Sequence, residues 1–272
     1  MRTRIIVAVI CVPLLFAILF FLPPIAVTLL VAAIAVIASD ELLRATGSAA
    51  QKRLYIYAAV PAAIIPAAVY LGSGDPAFRA VLFLLMALLF IDAVLSYQKE
   101  NRIRLSQLAA VLFGGAVIPY FLSSIISLKM IDYGRYYVLI PFIVAFITDG
   151  GAYFTGVFFG KHKAFPAVSP KKTIEGCVGG IMTGIAGTVL LGAILHLAVG
   201  MPVNFWALAV YGLAGGIVTE FGDLAFSLIK REFGIKDYGR LIPGHGGMLD
   251  RFDSMIFAAP AVFMLSSVFP AF

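Results

Sequence analysis

Charge is scarce in this sequence: only 12% of its 272 residues are Asp, Glu, Lys or Arg, against 62% hydrophobic. A water-soluble domain carries roughly 25% charged residues, so a soluble globular enzyme is excluded at the outset. Cysteine is nearly absent. Cys11 and Cys177 both lie in apolar stretches, which excludes a disulfide framework and a cysteine-based zinc site. The three histidines form no cluster of zinc-ligand spacing. There is no GxxxxGK[ST] loop, no GxGxxG fingerprint and no Ser-His-Asp arrangement. The net charge of +6 has meaning only through where the charges sit, and no nucleic-acid partner is expected.

What is present is hydrocarbon, with a mean hydropathy of +1.03. A membrane span needs about 20 apolar residues. Nine candidates follow, at 5–21, 25–40, 54–72, 77–97, 106–128, 137–160, 176–199, 205–229 and 254–271. The fold class is therefore all-α, a polytopic membrane bundle. The first run follows Arg2 and Arg4 as a signal peptide would. It lacks a small-residue cleavage site, and Pro23-Pro24 leads straight into the next run, so it reads as a helix. The second is short before Asp40 and is expected to run on as an interfacial turn through Arg44. With the N-terminus inside, seventeen of the twenty Lys and Arg residues fall in cytoplasmic segments. Only Arg79, Lys129 and Arg135 fall outside. This bias is what the positive-inside rule demands.

Polar residues then divide the chain into a scaffold, 1–136, and a catalytic part, 137–272. In the first part Asp92 is the one acid deep in a span. It has no basic neighbour in that span, and a helix–helix hydrogen bond is the plainer reading. The loop around Lys99, Arg102 and Arg104 is a solvated basic connector suited to anionic headgroups. In the second part Asp149, Glu220 and Asp223 lie within apolar runs, where carboxylates by default mark function. Gly176, Gly180, Gly184, Gly212 and Gly216 form small-residue stripes, read as tight helix packing or a homodimer face. His196 and Trp206 read as interfacial residues, and His162 as solvated or phosphate-facing. The loop GKHKAFPAVSPKKTIEG carries Lys161, Lys163, Lys171 and Lys172. Its Pro170 suggests a helix start capped by Ser169, with free amides for a phosphate.

The longest polar interruption is 227–254, SLIKREFGIKDYGRLIPGHGGMLDRFDS. Its glycines and proline between Gly239 and Gly247 forbid a continuous helix. Upstream, Glu220, Asp223, Ser227, Lys230 and Arg231 recur at steps that share one helix face. Downstream, Asp250 and Asp253 are three apart at the start of the next helix. Three carboxylates without soft ligands suit a magnesium ion. Lys230, Arg231, Lys236, Arg240 and Arg251 suit phosphate oxygens. That is the equipment of phosphoryl or nucleotidyl transfer.

The same stretch resembles the phosphatidate cytidylyltransferase family signature, S-x-x-K-R, four residues, K-D-x-G, two residues, an aliphatic, P-x-H-G-G, two residues, D-R-x-D. Every fixed position is filled, by Ser227, Lys230, Arg231, Lys236, Asp237, Gly239, Ile242, Pro243, His245, Gly246, Gly247, Asp250, Arg251 and Asp253. Asp149…Ala152-Tyr153, Gly160-Lys161-His162-Lys163 and Ser169-Pro170-x-Lys172-Thr173-x-Glu175-Gly176 resemble the family too, so the likeness covers 137–254. Gly150 departs from it, standing where Ser or Thr is usual. The resemblance implies transfer of a cytidylyl group from CTP to phosphatidic acid, giving CDP-diacylglycerol and pyrophosphate. It implies magnesium, with room for a second metal ion, and an active site on the cytoplasmic face of a bacterial inner membrane. Asp223, Asp250 and Asp253 are the expected metal ligands, and His245 is expected to assist the leaving group or order the loop. Lys230, Arg231 and Arg251 are expected to hold phosphates, with Lys171, Lys172 and Lys236 as further grips and Thr173, Ser227 and Asp237 lining the substrate site. Membrane lipids surround the enzyme. A CDP-alcohol phosphotransferase is the rival, but its D-G-x-x-A-R opening is missing after Asp149-Gly150. An ion-coupled transporter would spread its polar residues over both halves.

Overall fold

The computed structural model describes residues 2–241, 244 and 246–272, with side chains from Val9 onward. Eight helices among these are long and apolar enough to cross a membrane: Pro24–Ala45, Lys52–Tyr70, Gly74–Leu95, Leu105–Met130, Gly134–Phe159, Ile174–Val199, Phe205–Glu232 and Leu249–Val268. They match the second to ninth expected spans. The first span lies in helix α1 (Arg2–Phe21), whose apolar part Val9–Phe21 is shorter. The protein is an integral membrane protein built of helices. It divides into two compact units, one of 1–130 with 233–251, the other of 131–232 with 252–272.

In the first unit α2 (Pro24–Ala45) packs on α3 (Lys52–Tyr70) and α6 (Ile118–Met130). Leu43, Leu54, Ile65, Leu85 and Leu89 are buried at its centre. Helix α2 stays helical through Asp40–Arg44, where the sequence suggested an interfacial turn. Arg44 Nε reaches Asp40 Oδ2 at 2.8 Å, an i,i+4 pair that supports the extra turn. Helix α5 (Leu105–Leu112) joins α6 through one π turn, Phe113–Val117. A Cβ on Gly115 there would lie 2.8 Å from Ala58 Cα, so glycine permits the contact with α3.

Asp92 is not confined to a neutral helix–helix bond. Arg53 Nη1 sits 2.5 Å from its Oδ1, and Arg53 Nη2 donates to the Asn101 carbonyl. The reason is topological: α4 (Gly74–Leu95) returns along α3, so its last turn lies level with the first turn of α3. A basic partner absent from its own span is supplied by the preceding one.

The second unit opens with the short α7 (Gly134–Tyr137) and is built on α8 (Ile140–Phe159), α9 (Ile174–Val199) and α10 (Phe205–Glu232). The glycine stripes are packing surfaces within the chain. A Cβ on Gly180 would stand 2.8 Å from the Thr148 carbonyl oxygen on α8, and one on Gly212 would stand 2.5 Å from Ile185 Cα on α9. Tyr137 Oη accepts from the Ala271 and Phe272 amides at 2.7 and 3.2 Å, tying down the chain end. His196 Nδ1 lies 2.9 Å from the Met201 carbonyl oxygen, and Trp206 is exposed at the start of α10.

One local expectation is overturned. Residues after Ser169 do not start a helix. Lys163–Phe165 (β1) and Ser169–Thr173 (β2) pair as an antiparallel hairpin, with Lys163 opposite Thr173 and Phe165 opposite Ser169. Helix α9 begins only at Ile174, and its cap is Thr173, whose Oγ1 accepts from the Gly176 amide at 3.1 Å. Ser169 and Thr173 are both good caps by type. The one nearer the apolar run, with strand pairing behind it, prevails.

Candidate active site

The hairpin determines which lysine meets the acids. Neighbouring strand residues point to opposite faces, so Lys171 is exposed while Lys172 turns inward. Lys172 Nζ lies 2.5 Å from Glu220 Oε2 and 2.8 Å from Asp223 Oδ2. Those carboxylates are three apart on α10 and share its inner face. Asp149 on α8 feels the charges of Asp223, Asp253, Lys172 and Glu220. Asp253 comes from α11 (Leu249–Val268), which approaches α10 over Gly222. A Cβ at Gly222 would lie 2.9 Å from the Asp253 carbonyl oxygen and 3.2 Å from Ser254 Cα.

Within the second unit Lys172 thus bridges Glu220 and Asp223, while Asp149 lies within electrostatic reach of all three and of Asp253; Glu220 and Asp253 are buried. Burial alone would lower the Lys172 pKa, but Asp223 and Glu220 beside it prevail and hold it above the ordinary lysine value. Among the described residues Glu220 Oε1 is buried with no hydrogen-bond partner, an uncomfortable state for a charged oxygen. Cys177 Sγ donates to Glu220 Oε2 at 3.6 Å. Among the described residues no three His, Cys, Asp or Glu side chains are close enough to enclose an ion; the cation in contact with Glu220 and Asp223 is the lysine.

Around the cluster the remaining candidates divide. Ser227 and Lys230 are buried on α10, whereas Arg231 is exposed and its Nε donates to the Val168 carbonyl at 3.2 Å. That bond ties the end of α10 to the hairpin turn. Thr173 uses its hydroxyl on the α9 cap. His162 is occupied by Glu175, with Nδ1 2.6 Å from Oε1, while Glu175 Oε2 accepts the Lys161 and His162 amides. Asp149 and Glu220, left without a role by the sequence, are thus part of the cluster.

The first unit holds Asp237 and Asp250 of the motif. Asp250 Oδ2 accepts the Tyr238 amide at 2.8 Å and the Gly247 amide at 3.0 Å, bringing these two points of the backbone to one carboxylate. Gly246 has φ +88°, and a Cβ there would stand 3.0 Å from Asp250 Oδ2, which only glycine tolerates easily. Lys236, Asp237, Arg240 and Arg251 are exposed. His245, with Ile242 and Pro243 of the motif, lies outside the described residues. A residue no motif signalled also belongs here: Glu41, on α2, accepts the Met248 and Leu249 amides at 2.9 and 2.7 Å.

Comparison with known proteins identifies the family. Residues 2–269 match the family model described as the cytidylyltransferase family. A phosphatidate cytidylyltransferase of Staphylococcus epidermidis is 38% identical over 181 residues, 66% of this chain and 67% of that one. One of Bacillus subtilis is 35% identical over 194 residues, 71% and 68% of the two chains. One of Staphylococcus haemolyticus is 42% identical over 132 residues, 48% and 49%. With a family match over nearly its whole length, this chain belongs to the cytidylyltransferase family.

Proposed function

We propose that this protein transfers the cytidylyl group of CTP to phosphatidic acid at the cytoplasmic face of the bacterial inner membrane. The phosphate oxygen of phosphatidic acid attacks the α-phosphorus of CTP. The bond from that phosphorus to the bridging oxygen of the β-phosphate breaks, and pyrophosphate leaves with CDP-diacylglycerol formed. The nucleophile is already anionic near neutral pH, so no strong general base is required. The obstacle is the approach of two anions, which cations remove.

The observation that carries this reading is the carboxylate cluster closed by Lys172, in a chain matched over 2–269 by the cytidylyltransferase model. The chemistry of its donors suits a hard divalent cation, since they are carboxylates and Glu220 Oε1 has no hydrogen-bond partner among the described residues, but Lys172 rather than a third acid closes the space between Glu220 and Asp223. Asp223 and Asp253 would hold magnesium, with Asp250 retained as a ligand candidate on its place in the motif. Bound magnesium would supply charge neutralisation along the triphosphate. Lys172 would orient Asp223, and Lys230, Arg231 and Arg251 would receive phosphate oxygens, with Lys171 and Lys236 as further grips.

The test is direct. Purified protein with CTP, magnesium and phosphatidic acid vesicles should release pyrophosphate and form a lipid nucleotide; release of a nucleoside diphosphate instead would mean a kinase. Asp223→Asn and Asp250→Asn should each lower turnover by on the order of 10²-fold or more while the protein remains extractable and folded. Retained turnover in either would remove that aspartate from the mechanism.

A further inference from the structure

We infer that Glu41, on helix α2, is a positioning residue of the motif-bearing loop, acting through Asp250. The inference rests on the cytidylyl-transfer reading. Glu41 sits in the last turns of α2, only 5% exposed, more than 200 residues from the loop in sequence. Its two carboxylate oxygens take one amide each, Met248 to Oε1 and Leu249 to Oε2. The preceding amide, Gly247, goes to Asp250 Oδ2. Three successive N–H groups at the start of α11 are thus held by carboxylates, where a helix otherwise leaves donors unmet.

The glycines of the loop fit Glu41 as a key feature of the sequence pattern. A Cβ on Gly247 would lie 2.5 Å from Glu41 Oε2 and 2.6 Å from Oε1, and a Cβ on Gly239 would also collide with that carboxylate. Gly239 and Gly247 both come close to the Glu41 head. Asp250 takes the Tyr238 and Gly247 amides, and Glu41 fixes the next two residues of the loop to α2. Two carboxylates with separate amides hold the backbone on either side of Gly247, which sets the direction of the Asp250 side chain. Glutamine supplies only one acceptor oxygen and turns an NH2 group toward the second amide. Aspartate is one methylene too short to span both.

The experiment uses the full chain in detergent or vesicles, with Glu41→Gln, Gly247→Ala and the double variant. Three quantities are read: kcat and KM for CTP, the thermal midpoint, and trypsin cleavage after Lys236 and Arg240, with cleavage after Lys171 as the reference. Glu41→Gln should lower kcat at least about tenfold and speed loop cleavage about fivefold or more, while the reference cleavage and the midpoint stay near wild type. Gly247→Ala should do the same, and the double variant should be no worse than the poorer single one, because both break the same contact. Unchanged kcat and loop cleavage in Glu41→Gln would overturn the proposal. So would a fall in the midpoint with equal acceleration at both cleavage sites, which would make Glu41 a support of the fold only. If the wild type forms no lipid nucleotide, the functional reading fails instead, and the cleavage data still decide whether Glu41 holds the loop.

Discussion

Lys172 shows how much one side chain can decide. It contacts two acids at once, and one of them, Glu220, is buried. Removing a partner from a buried pair leaves an uncompensated charge, at a cost of about 3–5 kcal/mol. Lys172→Met should therefore lower the thermal midpoint as well as abolish turnover. Adding Glu220→Gln should recover the midpoint but not the turnover, which separates the two roles. The sign of the pH effect follows from the raised Lys172 pKa. The stabilisation is fully present below the ordinary lysine value of 10.5 and is lost only as pH rises through the higher folded value. Unfolding measured across neutral pH should show no step from this lysine. Sequence spacing put Lys172 among the cations of a loop; it could not say that its neighbour Lys171 would face away, because that depends on strand pairing. Glu41 was illegible for another reason. It carries no local pattern, and only the return of a loop two hundred residues later gives it partners.

At the scale of elements, caps and small residues set the spacing of the second unit. Thr173 caps α9, and Thr173→Ala should cost about 1 kcal/mol, read as a lowered thermal midpoint in detergent. The glycines of α9 let α8 and α10 come close. Gly180→Val would push against the Thr148 carbonyl oxygen and Ala152 Cβ, both 2.8 Å from the added Cβ. Overpacking of that kind costs about 1–3 kcal/mol and should show as a loss of folded yield. Gly150, by contrast, has nothing among the described residues within 4 Å of an added Cβ, so Gly150→Ser should fold normally. The helices themselves were legible because hydropathy and length suffice for a span. The hairpin at 163–173 was not, since three- and five-residue strands carry too little periodicity to outweigh a proline that resembles a helix start.

Across the whole molecule, the distribution of Lys and Arg makes a prediction about orientation. Single cysteines replacing Lys99 or Lys163, in a protein with Cys11 and Cys177 removed, should react with an impermeant maleimide only from the cytoplasmic side. A cysteine replacing Arg135 should react only from the outside. The opposite pattern would invert the topology and remove CTP from the reach of the carboxylates.

The sequence alone determined that the chain lives in a membrane as helices, and that its C-terminal part carries the charged motifs that resemble the cytidylyltransferases. Both follow from short-range rules, hydropathy per span and fixed spacing along one segment. Only the tertiary structure decided that Asp149 comes within reach of Glu220, Asp223 and Asp253, that Lys172 rather than Lys171 meets Glu220 and Asp223, and that Glu41 takes the Met248 and Leu249 amides. The physical reason is that buried charges and amides must find partners wherever the folded chain brings them, and those partners lie on other helices.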